Sequence, residues 1–285
     1  MASHDSAAIL HGLPIMLSPG AEVQLVHVDD RPVSRRLPGV VLHHSESVPL
    51  EPVLVDGLRT TAVPRTIADV MRTRRPPHAL AVLDQSLRQG LVALEDVRHE
   101  LAVQKRWVGK TRARKVLELV DPARESWAES YSYGVLAEIG FPMAIPQVDI
   151  LDEAFDFVAR VDGLLDHEGV FFEVDGEAKY FLGEPGAEPE ETARRRLMAE
   201  ERRHTRLEGL GLVGARWTPA LAMRSAVEVS GRVNRAIARA RGRTFTGWVR
   251  WQGRLCKLPL LPRSQSNHTT RPDGVRATTP RGRTG

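Results

Sequence analysis

The chain has 285 residues, 42% of them hydrophobic and 27% charged, which is the balance of a globular protein of one or two domains. No apolar run reaches the roughly 18 residues that a membrane span needs, and MASHDSAAILHGLP has neither the basic nor the apolar block of a signal peptide. Cys256 is the one cysteine, so an intrachain disulfide is excluded and the expected compartment is a reducing one, the cytoplasm.

The net charge of +4 is unevenly spread. Residues 241–285 hold ten Lys or Arg against a single acid, Asp273, so the rest of the chain is acidic. Such a tail either holds nucleic acid by counterion release or is simply a solvated end. Arg is written almost everywhere a positive charge is needed. The five lysines are Lys105, Lys110, Lys115, Lys179 and Lys257, and Lys179 stands alone between 115 and 257.

In chain order, residues 3–12 read as a short helix behind Ser3 or Asp5. VQLVHV (23–28), GVVLHH (39–44) and VPLEPVLVDGLRTT (48–61) read as strands of a small sheet, with Asp56-Gly57 a hairpin turn. The segment 61–74 turns helical after Pro64, with Ile67, Val70 and Met71 on its apolar face. Residues 77–119 read as two or three amphipathic helices broken at Gly90 and Gly109. A second unit starts near Asp121-Pro122. It reads as a helix (126–140), strands at 145–151, 156–165 and 170–177, a long charged helix (188–208), a strand (212–217) and a last helix (219–240). The expected fold is α/β (α+β overall): a β-rich region 1–75, a helical connector 76–120, an α-β-β-β-α-β-α core at 121–242, and a basic tail 243–285 that is largely disordered, wholly so from 260.

The chemistry-bearing stretch is FFEVDGEAKY (171–180). Alternate strand residues share a face, so Glu173 and Asp175 project together. A hairpin turning at 166–169 puts Asp162, at the end of ARVD, opposite Glu173, while Glu129 lies one turn into the preceding helix. Alternating charge of this kind reads either as the wet face of an ordinary strand or as a carboxylate set that takes a hard cation, Mg²⁺ or Mn²⁺. Other sites fail on spacing. His43-His44 has no partner Cys or His at ligand spacing, Ser126, Ser130 and Ser132 form no nucleophile elbow, and Gly109-Lys110-Thr111 has Gln104 where a phosphate loop needs glycine.

The segments ESWAES, ARVDGLL, FFEVDGEAKY, EERRHTRLEGLG and LVGARW resemble the domains related to very-short-patch-repair endonucleases, within the PD-(D/E)XK nuclease superfamily. SAAILHGLP, VDGLRTT and RTIADV resemble the region that precedes such a domain in AbiEi-like antitoxins of type IV toxin–antitoxin systems, here without the usual leading winged helix. Together the resemblance covers residues 3–240. It implies a restriction-endonuclease-like core and hydrolysis of DNA phosphodiesters with Mg²⁺ or Mn²⁺ and no organic cofactor. Asp162 and Glu173 become direct metal ligands, Asp175 a third ligand or the holder of the attacking water, and Glu129 an outer ligand through water or a residue that orients a ligand. Lys179 stands where the family has histidine and takes the charge-stabilising or water-activating role. Arg194, Arg195, Arg202, Arg203 and Arg206 become phosphate contacts, the alternative being a solvated face paired with Glu190, Glu191, Glu200 and Glu201. The competing reading is a non-catalytic, antitoxin-like regulator that holds DNA or a protein partner with a decayed nuclease fold. Neither reading involves a membrane.

Overall fold

A computed structural model describes residues 1–17, 20–27, 35–44, 51–104, 107–175 and 190–261, except for the side chains of 190–193, 196 and 197. Among these residues the chain is a mixed α and β protein, as its composition and patterning lead one to expect. Helix α1 (His4–Leu10) is followed by β1 (Val23–Val26), β2 (Arg35–Leu37), β3 (Val40–His43), β4 (Val53–Val55) and β5 (Leu58–Thr60). β1, β3 and β2 make one small sheet, and β4 and β5 make a hairpin. Asp56 and Gly57 turn that hairpin with φ of 49° and 78°, the double left-handed turn whose twist matches paired strands.

Four helices come next: α2 (Val63–Thr73), α3 (Pro76–Arg88), α4 (Leu94–Val103) and α5 (Lys110–Leu119). Pro64 and Pro76 sit in first turns, where a missing N–H costs nothing. These helices pack directly on the C-terminal unit. α3 lies so close to α6 (Trp127–Glu138) that a Cβ on Gly134 would sit 2.5 Å from the Pro77 backbone. One apolar cluster runs from Ala8 through Leu80, Val116 and Tyr133 to Ala240, so these helices and the C-terminal unit share a core.

The C-terminal unit continues with β6 (Ile145–Leu151), β7 (Phe157–Leu165), β8 (Val170–Val174), α7 (Glu190–Gly209), β9 (Val213–Trp217), α8 (Pro219–Arg224), α9 (Ala226–Ala240), β10 (Trp248–Trp251) and β11 (Arg254–Cys256). Its six-stranded sheet has the order β11-β10-β6-β7-β8-β9, antiparallel except where β8 runs parallel to β9. The α7 side carries a second cluster around Leu207, Val161 and Phe171. On the other side, Phe172, Ala215 and Trp217 meet α6, α8 and α9.

Two expectations need correction. The single helix expected at 219–240 is two, because the Ser225 side chain accepts from the Glu228 N–H and starts a new helix. Residues 243–261, assigned to the tail, form a sheet edge instead. β10 pairs with β6, Val249 is fully buried, and Asp166 Oδ2 accepts from the N–H of Leu260 (2.9 Å) and Leu261 (3.0 Å). Residues 262–285 lie outside the described residues.

Candidate functional site: two carboxylates and a guanidinium pair

β7 and β8 are joined by the turn at 166–169, and their ladder runs from Leu165↔Val170 to Gly163↔Phe172. The next pair outward is Asp162 and Glu173. Here the ladder ends, and a side chain takes over: Asp162 Oδ2 accepts the Val174 N–H at 2.8 Å. On its other side, the Asp162 carbonyl accepts from Tyr133 Oη at 2.9 Å, tying β7 to α6. Gly163 is required because the Phe172 ring lies over it, with a Cβ there falling 2.2 Å from the ring.

β6 contributes an irregularity at the same level. Ile145, Val148 and Ile150 all reach the α7-side cluster, as do Ala159, Val161 and Leu164 on β7. A strand changes face every residue, so the steps of three from 145 to 148 and from 161 to 164 mean that both strands switch face in between. The register puts Gln147 opposite Asp162 at that switch, and Gln147 has φ of 53°. A non-glycine residue in this region costs on the order of 1–3 kcal/mol and persists where its surroundings hold it. Gln147 is held by its side chain, which donates to Glu129 Oε2 at 2.8 Å.

Glu129 is therefore a cap before it is anything else. Ser126 Oγ caps α6 by accepting the Glu129 N–H (3.1 Å). In return the Glu129 carboxylate accepts from Ser126 Oγ (2.8 Å) and the Glu125 N–H (2.9 Å), a capping-box arrangement. It reaches the site through Gln147 and through its charge.

Burial pushes the Asp162 carboxyl up to about 7. The Val174 N–H opposes that shift, the charges of Glu129 and Glu173 add to it, and Arg203 opposes it. Glu173, 6% exposed, meets two guanidiniums: Arg203 Nη1 from α7 at 2.6 Å and Arg216 Nη2 from β9. Glu200, one turn before Arg203, shares the same pair: Arg203 turns Nη2 to it at 2.5 Å, while Arg216 meets both carboxylates with the one nitrogen Nη2. Burial raises the Glu200 pKa, but the hydrogen bonds from Arg203 and Arg216 outweigh it and hold the carboxyl at about 2. Arg232 on α9 donates to the Arg216 carbonyl at 2.6 Å.

Of the ligands expected from sequence, Asp162 and Glu173 are adjacent. Asp175 lies past the end of β8, its N–H donating to the Trp217 carbonyl at 3.0 Å. Among the described residues no three His, Cys, Asp or Glu converge as a metal-binding group. Lys179 lies outside the described residues. Of the five arginines, Arg194, Arg195 and Arg202 are exposed on α7, Arg203 is engaged by Glu173 and Glu200, and Arg206 pairs with Asp152 at 3.2 Å. Asp162 and Glu173 would be the residues to hold Mg²⁺ or Mn²⁺, which bind through one or two carboxylates and keep several waters.

No family profile matches the chain. Two proteins similar to it are "Uncharacterized protein MT2308" of Mycobacterium tuberculosis (strain CDC 1551 / Oshkosh) and "Uncharacterized protein Rv2248" of Mycobacterium tuberculosis (strain ATCC 25618 / H37Rv). Each is 32% identical over 150 residues, 50% of this chain and 51% of the relative, so the chain spans about half the length of the curated relatives it matches. No solved structure matches.

Sequence reasoning missed Gln147 and Arg216, and it placed Glu200 only as a partner of the α7 arginines, without its bond to Arg216. The apolar spacing at 145, 148 and 150 is a visible signal of the face switch. Arg216 stands in LVGARW as a charge inside an otherwise apolar strand. The three-residue spacing of Glu200 and Arg203 signals their pair but not the second carboxylate and second arginine that join it.

Proposed function

We propose that the protein is a metal-dependent phosphodiesterase acting on DNA, with Asp162 and Glu173 as the residues that hold the cation. The observation that carries the reading is the juxtaposition of these two carboxylates where the β7–β8 ladder ends, beside two guanidiniums. A divalent cation bound there would polarise a phosphoryl oxygen and lower the pKa of a bound water. The chain's own groups do the rest. Tyr133 and the Val174 N–H fix Asp162 from both sides, and Gln147 and Glu129 hold the strained strand beneath it. Arg203 and Arg216 hold Glu173, and their planar forks suit phosphate oxygens. Arg194, Arg195 and Arg202 on α7 supply charge for a nucleic-acid backbone. Among the described residues no helix is long and apolar enough to cross a membrane.

The test is plasmid DNA incubated with the purified protein and Mg²⁺ or Mn²⁺. Cleavage is expected for the wild type and lost in Asp162→Ala and Glu173→Ala; equal cutting by all three overturns the site. The double ion pair on Glu173 favours a second reading, a regulator that holds DNA or a partner without cutting it. That reading predicts salt-sensitive DNA binding, no cleavage and no cation-dependent rise in Tm.

A further inference from the structure

Glu173 and Glu200 stand on different elements, β8 and α7, yet share both Arg203 and Arg216. Each guanidinium thus spans two carboxylates, which costs four side chains their freedom in one small cluster. A simpler neutralisation of buried Glu173 needs only one arginine. The arrangement is also asymmetric. Arg203 and Glu200 are three apart on one helix and stay neighbours whatever happens at Glu173, and Arg232 fixes the Arg216 backbone in place.

We propose that Arg203 and Arg216 are positioning residues that compete with a divalent cation for Glu173, and that Glu200 weakens their grip by drawing both guanidiniums toward α7. The inference rests on reading Glu173 as a cation ligand. When a cation takes Glu173, both arginines keep Glu200, which leaves the pair one positive charge in excess for an incoming anion. Their Glu173-facing N–H groups are then released beside the cation, where a phosphate oxygen is the acceptor that matches a guanidinium fork. The cluster therefore exchanges one anion for another: Glu173 leaves the arginines and phosphate arrives.

This exchange predicts effects of opposite sign, which a purely structural ion cluster does not produce. Arg216→Gln removes a competitor, so Mn²⁺ binds more tightly, by ~5-fold or more as for a coupling of about 1 kcal/mol. Glu200→Gln leaves both arginines to Glu173 alone, so Mn²⁺ binds more weakly by a similar factor. Arg216→Lys keeps the charge without the fork and falls between wild type and Arg216→Gln. In the same variants, inorganic phosphate added at saturating Mn²⁺ binds more weakly to Arg216→Gln than to wild type.

Calorimetric titration of Mn²⁺, then phosphate, into the full chain decides the matter, with melting curves confirming that each variant folds. Arg216→Lys serves if Arg216→Gln does not fold. Opposite shifts in Mn²⁺ affinity for the Arg216 and Glu200 variants support the proposal. Shifts in the same direction, or none, overturn it while leaving the cation site standing. Absence of any Mn²⁺ isotherm in the wild type overturns the cation site and the competition with it.

Discussion

At the scale of single residues, the clearest commitments are the strained and buried ones. His4 begins α1 with φ of 51°, stacks on His43 with ring centroids 3.7 Å apart, and bonds Ser3 Oγ through Nδ1 at 3.0 Å. Burial lowers its pKa from 6.5 to about 3; Asp69 opposes the shift, and His43, Arg72 and Arg65 reinforce it. A folded-state pKa below the unfolded one means that the unfolded chain binds the extra proton. Stability is therefore complete above pH 6.5 and is lost as pH falls from 6.5 toward 3. Urea midpoints are expected to drop between pH 7.5 and 5, where most carboxylates stay ionised, by up to about 1.4 kcal/mol per pH unit from this group. His4→Asn, which tolerates the left-handed backbone, should flatten the slope; an unchanged slope contradicts this account of His4. Gly163 makes a sterically sharper case. Gly163→Ala drives a methyl into the Phe172 ring and should cost about 1–3 kcal/mol in urea denaturation, with weaker Mn²⁺ binding because Asp162 is next in line. Wild-type stability in that variant would show that Phe172 can move aside.

At the scale of elements, much was legible because local chemistry and periodicity agreed. Asp56-Gly57 specifies its hairpin, and the 166–169 turn brings Asp162 to Glu173 as the hairpin reading expects. What was illegible depends on partners far away in sequence. WVRW at 248–251 becomes a strand only because β6 offers it an edge and the α7-side cluster accepts Val249. Its basic neighbours read as tail because charge composition says nothing of edge pairing. Truncation after Gly242 should accordingly lower stability by several kcal/mol: it strips an edge from β6 and removes both donors from buried Asp166. An unchanged urea midpoint would return this segment to the tail. The Gln147–Asp162 face switch was legible in the spacing of 145, 148 and 150 but overlooked, since alternation is assumed when a strand is read and φ of 53° breaks it. At the capping box, Ser126→Ala should cost about 1 kcal/mol of stability by thermal melting and should also loosen Gln147 through Glu129.

At the scale of the whole molecule, the candidate site is not an appendage of the sheet. Asp84 on α3 and Arg124 form an ion pair of 2.6 Å with both side chains fully buried. Arg124 stacks on Tyr133 at 4.3 Å, and Tyr133 holds the Asp162 carbonyl. A continuous chain of contacts thus runs from the helical layer to the carboxylate. Asp84→Asn strands a buried guanidinium and is expected to cost about 3–5 kcal/mol by urea denaturation; a much smaller loss would mean that water reaches Arg124. The central claim, however, is that two carboxylates, Asp162 and Glu173, hold a divalent cation, with Asp175 outside the pair. Calorimetric titration of Mn²⁺ against wild type, Asp162→Asn, Glu173→Gln and Asp175→Asn tests it most directly. The account predicts a binding isotherm in wild type and in Asp175→Asn and its loss in the other two; equal isotherms in all four proteins, or loss in Asp175→Asn alone, would contradict it.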